Sequence, residues 1–279
     1  MGTEATGKFV EINGLRLHYL DYRGTGPVIL CIHGLTRCAH DFDSLAIHLT
    51  GRYRVLSLDV RGRGDSEWGP PDRYNIHSYV SDLGAFLDRL EIARANLIGT
   101  SMGGRISIVY AGANPARIDR IVLNDIGPAL DPAALANLNR WVRGAPSEFD
   151  TLDDVIAFYR SIGFGPRNEG DFRNIVKWLV KPIANGRLGW KMDPAISQPP
   201  PGIAPARSDG YWDEFARMVS PVLIVRGGLS EILTPEIAAR MLAARPDAKM
   251  VTVPGVGHAP SLNEPESLAA ISDFFGLQS

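Results

Sequence analysis

The 279-residue chain has little of several things that would narrow its role at once. Cysteine occurs only at Cys31 and Cys38. Two thiols make no disulfide framework, and neither stands at metal-ligand spacing from a histidine, so reduced thiols and a cytoplasmic setting are expected. Charge of one sign is not in excess: 29 Lys and Arg face 31 Asp and Glu, for a net charge of -2. That balance gives no electrostatic footprint for nucleic acid or for an anionic membrane. No apolar run approaches the roughly 20 residues that cross a bilayer. The opening residues Met1 to Lys8 are polar and carry no apolar signal-peptide core. H-E-x-x-H and paired-cysteine spacings are missing, so neither a metal nor a cofactor is expected. Internal repeats and low-complexity tracts are missing too. The expected partner is a small-molecule substrate, met by a monomer or homodimer.

What is there is ordinary in composition and ordered in pattern. Hydrophobic residues make up 45% and charged residues 22%, enough for one large α/β domain or a domain with an insertion. Asn13-Gly14 separates strand-like runs at 10–12 and 15–21, and the pair suits a type I′ hairpin turn. Short apolar runs at 28–32, 53–58, 95–98 and 120–123 read as strands buried on both faces. Helix-period stretches at 41–49, 78–90 and 105–113 alternate with them. That alternation predicts a mostly parallel sheet with helices on both faces.

After Asp125 the pattern changes. Stretches 132–141, 152–162 and 171–180 read as helices with no strand between them, and a Pro199-Pro200-Pro201-Gly202 run follows. Four of the five tryptophans (Trp141, Trp178, Trp190 and Trp212) fall in this segment, which is rich in other aromatics, Phe164 among them. The expectation is a helical insertion over 128–219 within a core made of 1–127 and 220–279. A strand resumes at 222–225. Thr234-Pro235-Glu236 opens a helix, with threonine as cap and proline in the first turn. A last strand at 249–253 and a last helix at 265–275 close the chain.

The chemistry centres on Gly99-Thr100-Ser101-Met102-Gly103, a G-x-S-x-G placed between a strand-like and a helix-like run. A serine on so sharp a turn presents its hydroxyl, and the flanking glycines avoid clashes with strand and helix. The Met102 amide then opens a helix and faces any developing anion. A serine nucleophile needs a base, and the base needs an orienting acid. His258, in Gly255-Val256-Gly257-His258-Ala259-Pro260, follows the last strand on the same sheet edge as Ser101. Glu231 follows the penultimate strand and is the preferred acid; Asp125, directly after the strand at 120–123, is the alternative. Gly34 lets the loop after 28–32 approach a substrate, making the Leu35 amide the second oxyanion donor. His33 reads as ordering loop backbone, and His18 and His48 as surface residues. The loop Asp59-Val60-Arg61-Gly62-Arg63-Gly64-Asp65-Ser66 lacks the spacing of a phosphate cradle and reads as structural. Arg61 is kept as a candidate contact for a substrate carboxylate, and Trp141, Trp178 and Trp190 as candidate substrate contacts of an apolar pocket.

These signals together make the chain resemble the α/β-hydrolase superfamily, and the resemblance covers essentially all of it. It is carried by His33-Gly34, the Asp59-x-Arg61-Gly62-x-Gly64-x-Ser66 loop, the Gly99-x-Ser101-x-Gly103-Gly104 turn and Gly257-His258, in the order serine, acid, histidine. It implies an eight-stranded sheet whose second strand is antiparallel, with a helical cap inserted after the sixth strand. It also implies a cofactor-independent serine hydrolase, esterase- or lactonase-like, acting through an acyl-serine on a small, largely apolar substrate. The loop that reads G-x-x-S-D in commoner relatives is Gly227-Gly228-Leu229-Ser230-Glu231 here. Relatives with aspartate or cysteine at the turn, such as haloalkane dehalogenases, epoxide hydrolases and dienelactone hydrolases, are set aside by Ser101. Ring-cleavage C–C hydrolases share the triad but usually carry G-x-G-P-G where Gly34-Leu35-Thr36-Arg37-Cys38 stands. Perhydrolases share S-M-G-G, and a non-catalytic small-molecule receptor is the reading of another class.

Overall fold

The Asn13-Gly14 turn forms as its residues dictate. Both have positive φ (50° and 78°), and they close β1 (Thr6–Ile12) antiparallel onto β2 (Leu15–Asp21). The structure is a computed structural model that describes residues 5–162, 169–199 and 210–277. Strands and helices then alternate: β3 (Val28–Ile32), α1 (Asp43–Leu49), β4 (Arg54–Leu58), α2 (Ile76–Arg89), β5 (Ala95–Thr100), α3 (Met102–Ala113) and β6 (Ile118–Asn124). Next come α4 (Pro132–Arg143), β7 (Glu148–Phe149), α5 (Leu152–Ser161), α6 (Glu169–Val176), β8 (Val180–Pro182), β9 (Leu188–Trp190), α7 (Pro194–Ser197) and α8 (Trp212–Arg217). The chain ends through β10 (Val222–Gly227), α9 (Pro235–Ala244), β11 (Lys249–Val253) and α10 (Pro265–Phe275).

Eight strands form one sheet in the order β1-β2-β4-β3-β5-β6-β10-β11. β2 runs antiparallel to both neighbours, and every pairing from β4 to β11 is parallel. The continuous apolar runs follow from burial on both faces. In β3, Leu30 and Ile32 enter one core with residues of α2, α3, α8 and α9, while Ile29 and Cys31 enter another with residues of α1 and α10. Cys31 and Cys38 are both free and buried, and burial pushes both thiols up. No helix among the described residues is long and apolar enough to cross a membrane.

The inserted segment differs from the all-helical expectation. β7, β9 and β8 form a small antiparallel sheet, in that order. Val180 pairs with Trp190 in it instead of ending a helix, because α6 already stops at Val176. Phe149, Tyr159, Phe172 and Val176 build a third core around edge-to-face rings, such as Phe149 on Trp190 at 5.1 Å and Tyr159 on Phe172 at 5.9 Å. α8 does not belong to that core. Phe215 is buried in the main core with residues of α3, so the chain has rejoined the sheet's own packing before position 219. The Pro200-Pro201-Gly202 part of the proline run and Phe164 lie outside the described residues.

Candidate active site

Parallel strands deliver their C-terminal ends to one edge, and the loops after β3, β5, β6, β10 and β11 meet there. Ser101 sits between β5 and α3 at φ 52° and ψ -114°, a strained conformation for a residue with a side chain. The backbone holds it there. Its N–H donates to Asn124 O at 3.0 Å, and its carbonyl accepts from Gly104 N and Arg105 N at 3.0 and 3.2 Å. Gly103 is required by a close approach, because a Cβ there would stand 2.0 Å from Ile32 O. That contact brings the loop after β3 against the start of α3.

His258 completes the arrangement from the loop after β11. Its Nε2 lies 2.9 Å from Ser101 Oγ and its Nδ1 2.8 Å from Asp125 Oδ2. With Nδ1–H donating to the carboxylate, Nε2 is the acceptor for the serine proton. Asp125 is fully buried. It follows β6 with a positive φ of 55°, donates its own N–H to Val225 O at 2.7 Å, and accepts from Gly227 N at 2.9 Å through Oδ1. One carboxylate oxygen is therefore fixed by backbone and the other is aimed at the imidazole.

The preference for Glu231 is thereby corrected: the carboxylate on His258 belongs to Asp125. β6 lies beside β5 in the sheet, so a residue leaving β6 is one strand away from Ser101. Glu231 lies beyond the end of β10, is exposed, and holds no hydrogen bond to His258. Leu35 lines the cleft with Ser101 and His258, and the Met102 amide opens α3. Among the described residues neither amide donates to a protein acceptor.

Arg61 is likewise corrected. Its guanidinium is buried and grips Asp82 with Nε and Nη2, fastening the loop after β4 to α2, and it does not line the cleft. Asp59 of the same loop accepts from His18 Nδ1 at 2.7 Å, Ala39 N at 2.6 Å and Asp65 N at 3.0 Å. Burial pushes this carboxyl up, but the His18 hydrogen bond and its other partners outweigh that and hold it below the usual range. His18 is therefore buried rather than a surface residue. His33 orders loop backbone as expected: Nδ1 donates to Gly34 O at 2.7 Å and Nε2 accepts from Val60 N at 3.0 Å. Burial lowers its pKa and keeps it neutral.

The cleft beside Ser101 is roofed by Leu138 of α4 and Ile175 of α6. A second, apolar compartment shares Thr36 and Leu138 with it and is walled by Trp141, Phe158, Tyr159 and Trp190. Trp141 and Trp190 thus face a cavity, whereas Trp178 stacks on His40 (3.8 Å between centroids, 6° between planes) and lines neither compartment. Two residues at the site had gone unread in the sequence. Asn124 Nδ2 bridges Thr100 Oγ1 at 3.1 Å and Pro260 O at 2.9 Å, tying the serine strand to the histidine loop. Arg37 lines the cleft. The only sequence signals for them were position: Asn124 ends a strand beside Asp125, and Arg37 follows the His33-Gly34 loop.

The sequence model of the alpha/beta hydrolase fold matches residues 27–265. A 3-hydroxybutyrate-oligomer hydrolase of Cupriavidus necator is 36% identical, over 96% of each chain. A 2-(acetamidomethylene)succinate hydrolase of Mesorhizobium japonicum is 29% identical, over 95% of this chain and 93% of its own. The crystal structure of an alpha/beta hydrolase from Novosphingobium aromaticivorans superposes with a TM-score of 0.87 at 37% identity, covering 98% of this chain and 99% of that one.

Proposed function

The chain belongs to the α/β-hydrolase fold family, and from that premise we propose that it is a cofactor-independent serine hydrolase of carboxylic esters, with Ser101, His258 and Asp125 as its triad. The observation that carries the reading is the unbroken chain of contacts from Ser101 Oγ through His258 to buried Asp125, at 2.9 and 2.8 Å. His258 Nε2 takes the Ser101 proton as Oγ attacks the carbonyl carbon. The amides of Leu35 and Met102 hold the resulting oxyanion. The imidazolium returns its proton to the leaving alkoxide, and the acyl-serine forms. Water then attacks that acyl group, giving its proton to Nε2, and the collapse returns the proton to Ser101 Oγ as the acid departs. Asp125 keeps Nδ1 protonated and stabilises the imidazolium throughout.

The cleft and its apolar compartment suit a small ester with an apolar portion. A 3-hydroxybutyrate oligomer is joined by ester bonds, so the name of the Cupriavidus necator relative supports ester over C–C cleavage. The test is a panel of p-nitrophenyl esters, lactones and vinylogous diketones, run with the wild type and S101A. Ester turnover that drops by about 10^4-fold or more in folded S101A is the expected result. Ester turnover unchanged in S101A, or diketone cleavage alone, overturns the reading.

A further inference from the structure

The cleft beside Ser101 is lined by an arginine that the ester mechanism does not use. Arg37 follows the Leu35 loop and lines the cleft together with Ser101 and His258. Its stem runs close to the nucleophile: a carbon placed on Gly34 would lie 3.5 Å from Arg37 Cγ and 3.6 Å from Ser101 Cβ. The group is held on two sides. Nε donates to both carboxylate oxygens of Asp41, at 3.2 and 2.9 Å. Its Cζ lies 5.6 Å from the centroid of the Tyr159 ring, whose hydroxyl is fixed on Thr36 O. Burial works against the charge of Arg37, and Asp41 together with its other neighbours more than offsets it. Among the described residues, Nη1 and Nη2 have no protein acceptor, and no other Lys or Arg lines either compartment.

A charged guanidinium held by Asp41 through Nε, with no protein acceptor on its Nη pair among the described residues, presents the planar fork that a carboxylate meets with two parallel hydrogen bonds. The side chain is only 14% exposed, and its unpaired Nη atoms are not among the buried ones, so a ligand entering the cleft can reach them. Asp41 also lines the cleft, but it engages Nε and so orients the fork without filling it. Leu138 and Ile175 opposite are apolar and offer no competing partner. We infer that Arg37 binds a free carboxylate of the substrate, so that the ester cleaved at Ser101 carries an acid group a few bonds from its scissile carbonyl. This rests on the reading of Ser101 as an esterolytic nucleophile and names the substrate class of that site.

The test compares monoethyl succinate with ethyl levulinate, single esters of similar size in which a carboxylate is replaced by a neutral methyl ketone. The wild type is expected to favour monoethyl succinate in kcat/KM, and R37M to lower that preference by about 10- to 100-fold. R37M/D41N, which removes the paired charge as well, guards against misfolding and is expected to lose the preference equally, with thermal melts as the fold check. Calorimetric titration of succinate into S101A and S101A/R37M reads the same contact without turnover, and binding is expected to weaken at least tenfold in the double variant. Esters cleaved without preference for the acid, or a preference and succinate binding unaltered by R37M, overturn the inference while leaving the esterase reading standing. If the wild type cleaves neither ester, the p-nitrophenyl panel decides the esterase reading, and the succinate titration still decides whether Arg37 holds a carboxylate.

Discussion

Asp125 and Glu231 separate cleanly under substitution. D125N keeps the shape of the carboxylate but removes the charge that, in the proposed triad, stabilises the imidazolium and fixes its tautomer. We expect kcat for a p-nitrophenyl ester to fall by about 10^4-fold. E231Q alters an exposed side chain and is expected to change kcat/KM by no more than about twofold. Steady-state kinetics on the two purified variants decides between them. Arg61 makes the converse point. Because its charge is consumed by buried Asp82, R61M strands a carboxylate in the core. It should destabilise the fold by about 3–5 kcal/mol in urea titration. KM measured on the folded fraction should stay at the wild-type value; a raised KM with unaltered stability would restore Arg61 as a substrate contact.

Elements cooperate at the site through their ends. Ser101 follows β5, Asp125 follows β6, and the loop after β11 supplies His258, so the proposed triad is only as well aligned as those three ends are joined. Asn124 is the joint, since its Nδ2 reaches both Thr100 Oγ1 and Pro260 O. N124L removes both bonds while touching no member of the triad. It is expected to lower kcat by about 10- to 100-fold, the scale of a misplacement near 1 Å, with KM little changed. A loss confined to thermal stability, with kcat intact, would reduce Asn124 to a structural residue. The local pattern had announced these strands and helices to within a few residues, because burial on two faces and a 3.6-residue period are written in neighbouring positions. It did not announce the small β7-β9-β8 sheet. Three-residue strands such as β8 and β9 leave too little alternation to read.

For the molecule as a whole, stability should fall on acidification, and the sign follows from its buried groups. His33 is neutral in the fold with its pKa lowered from the ordinary 6.5. The unfolded chain therefore takes up that proton first, and the stabilisation, full above pH 6.5, is lost as pH falls from there through the lowered value. Asp59, held below its ordinary 3.8, adds a second loss that begins under that pH. The Tm of the wild type is expected to drop between pH 7 and 5. H33L, less stable at pH 7, should show a flatter Tm over the same interval; equal slopes would remove His33 from the account.

By itself, the sequence determined the alternation of strands and helices, the serine turn between β5 and α3, the histidine loop after β11 and the family these features mark. Each is a property of residues close together in the chain, where propensity, turn chemistry and periodicity act. Tertiary structure alone decided which carboxylate faces His258, that Arg61 is spent on Asp82, and that Arg37, paired with Asp41, lines the cleft that holds Ser101. Those are matters of which strand lies next to which, and of which distant side chain reaches a charge first. Sheet order β5-β6-β10 places Asp125 next to the serine strand and leaves Glu231 in solvent. That adjacency is set by packing between segments more than 100 residues apart in the chain, as Asp125 and Gly227 are, and it has no local signature.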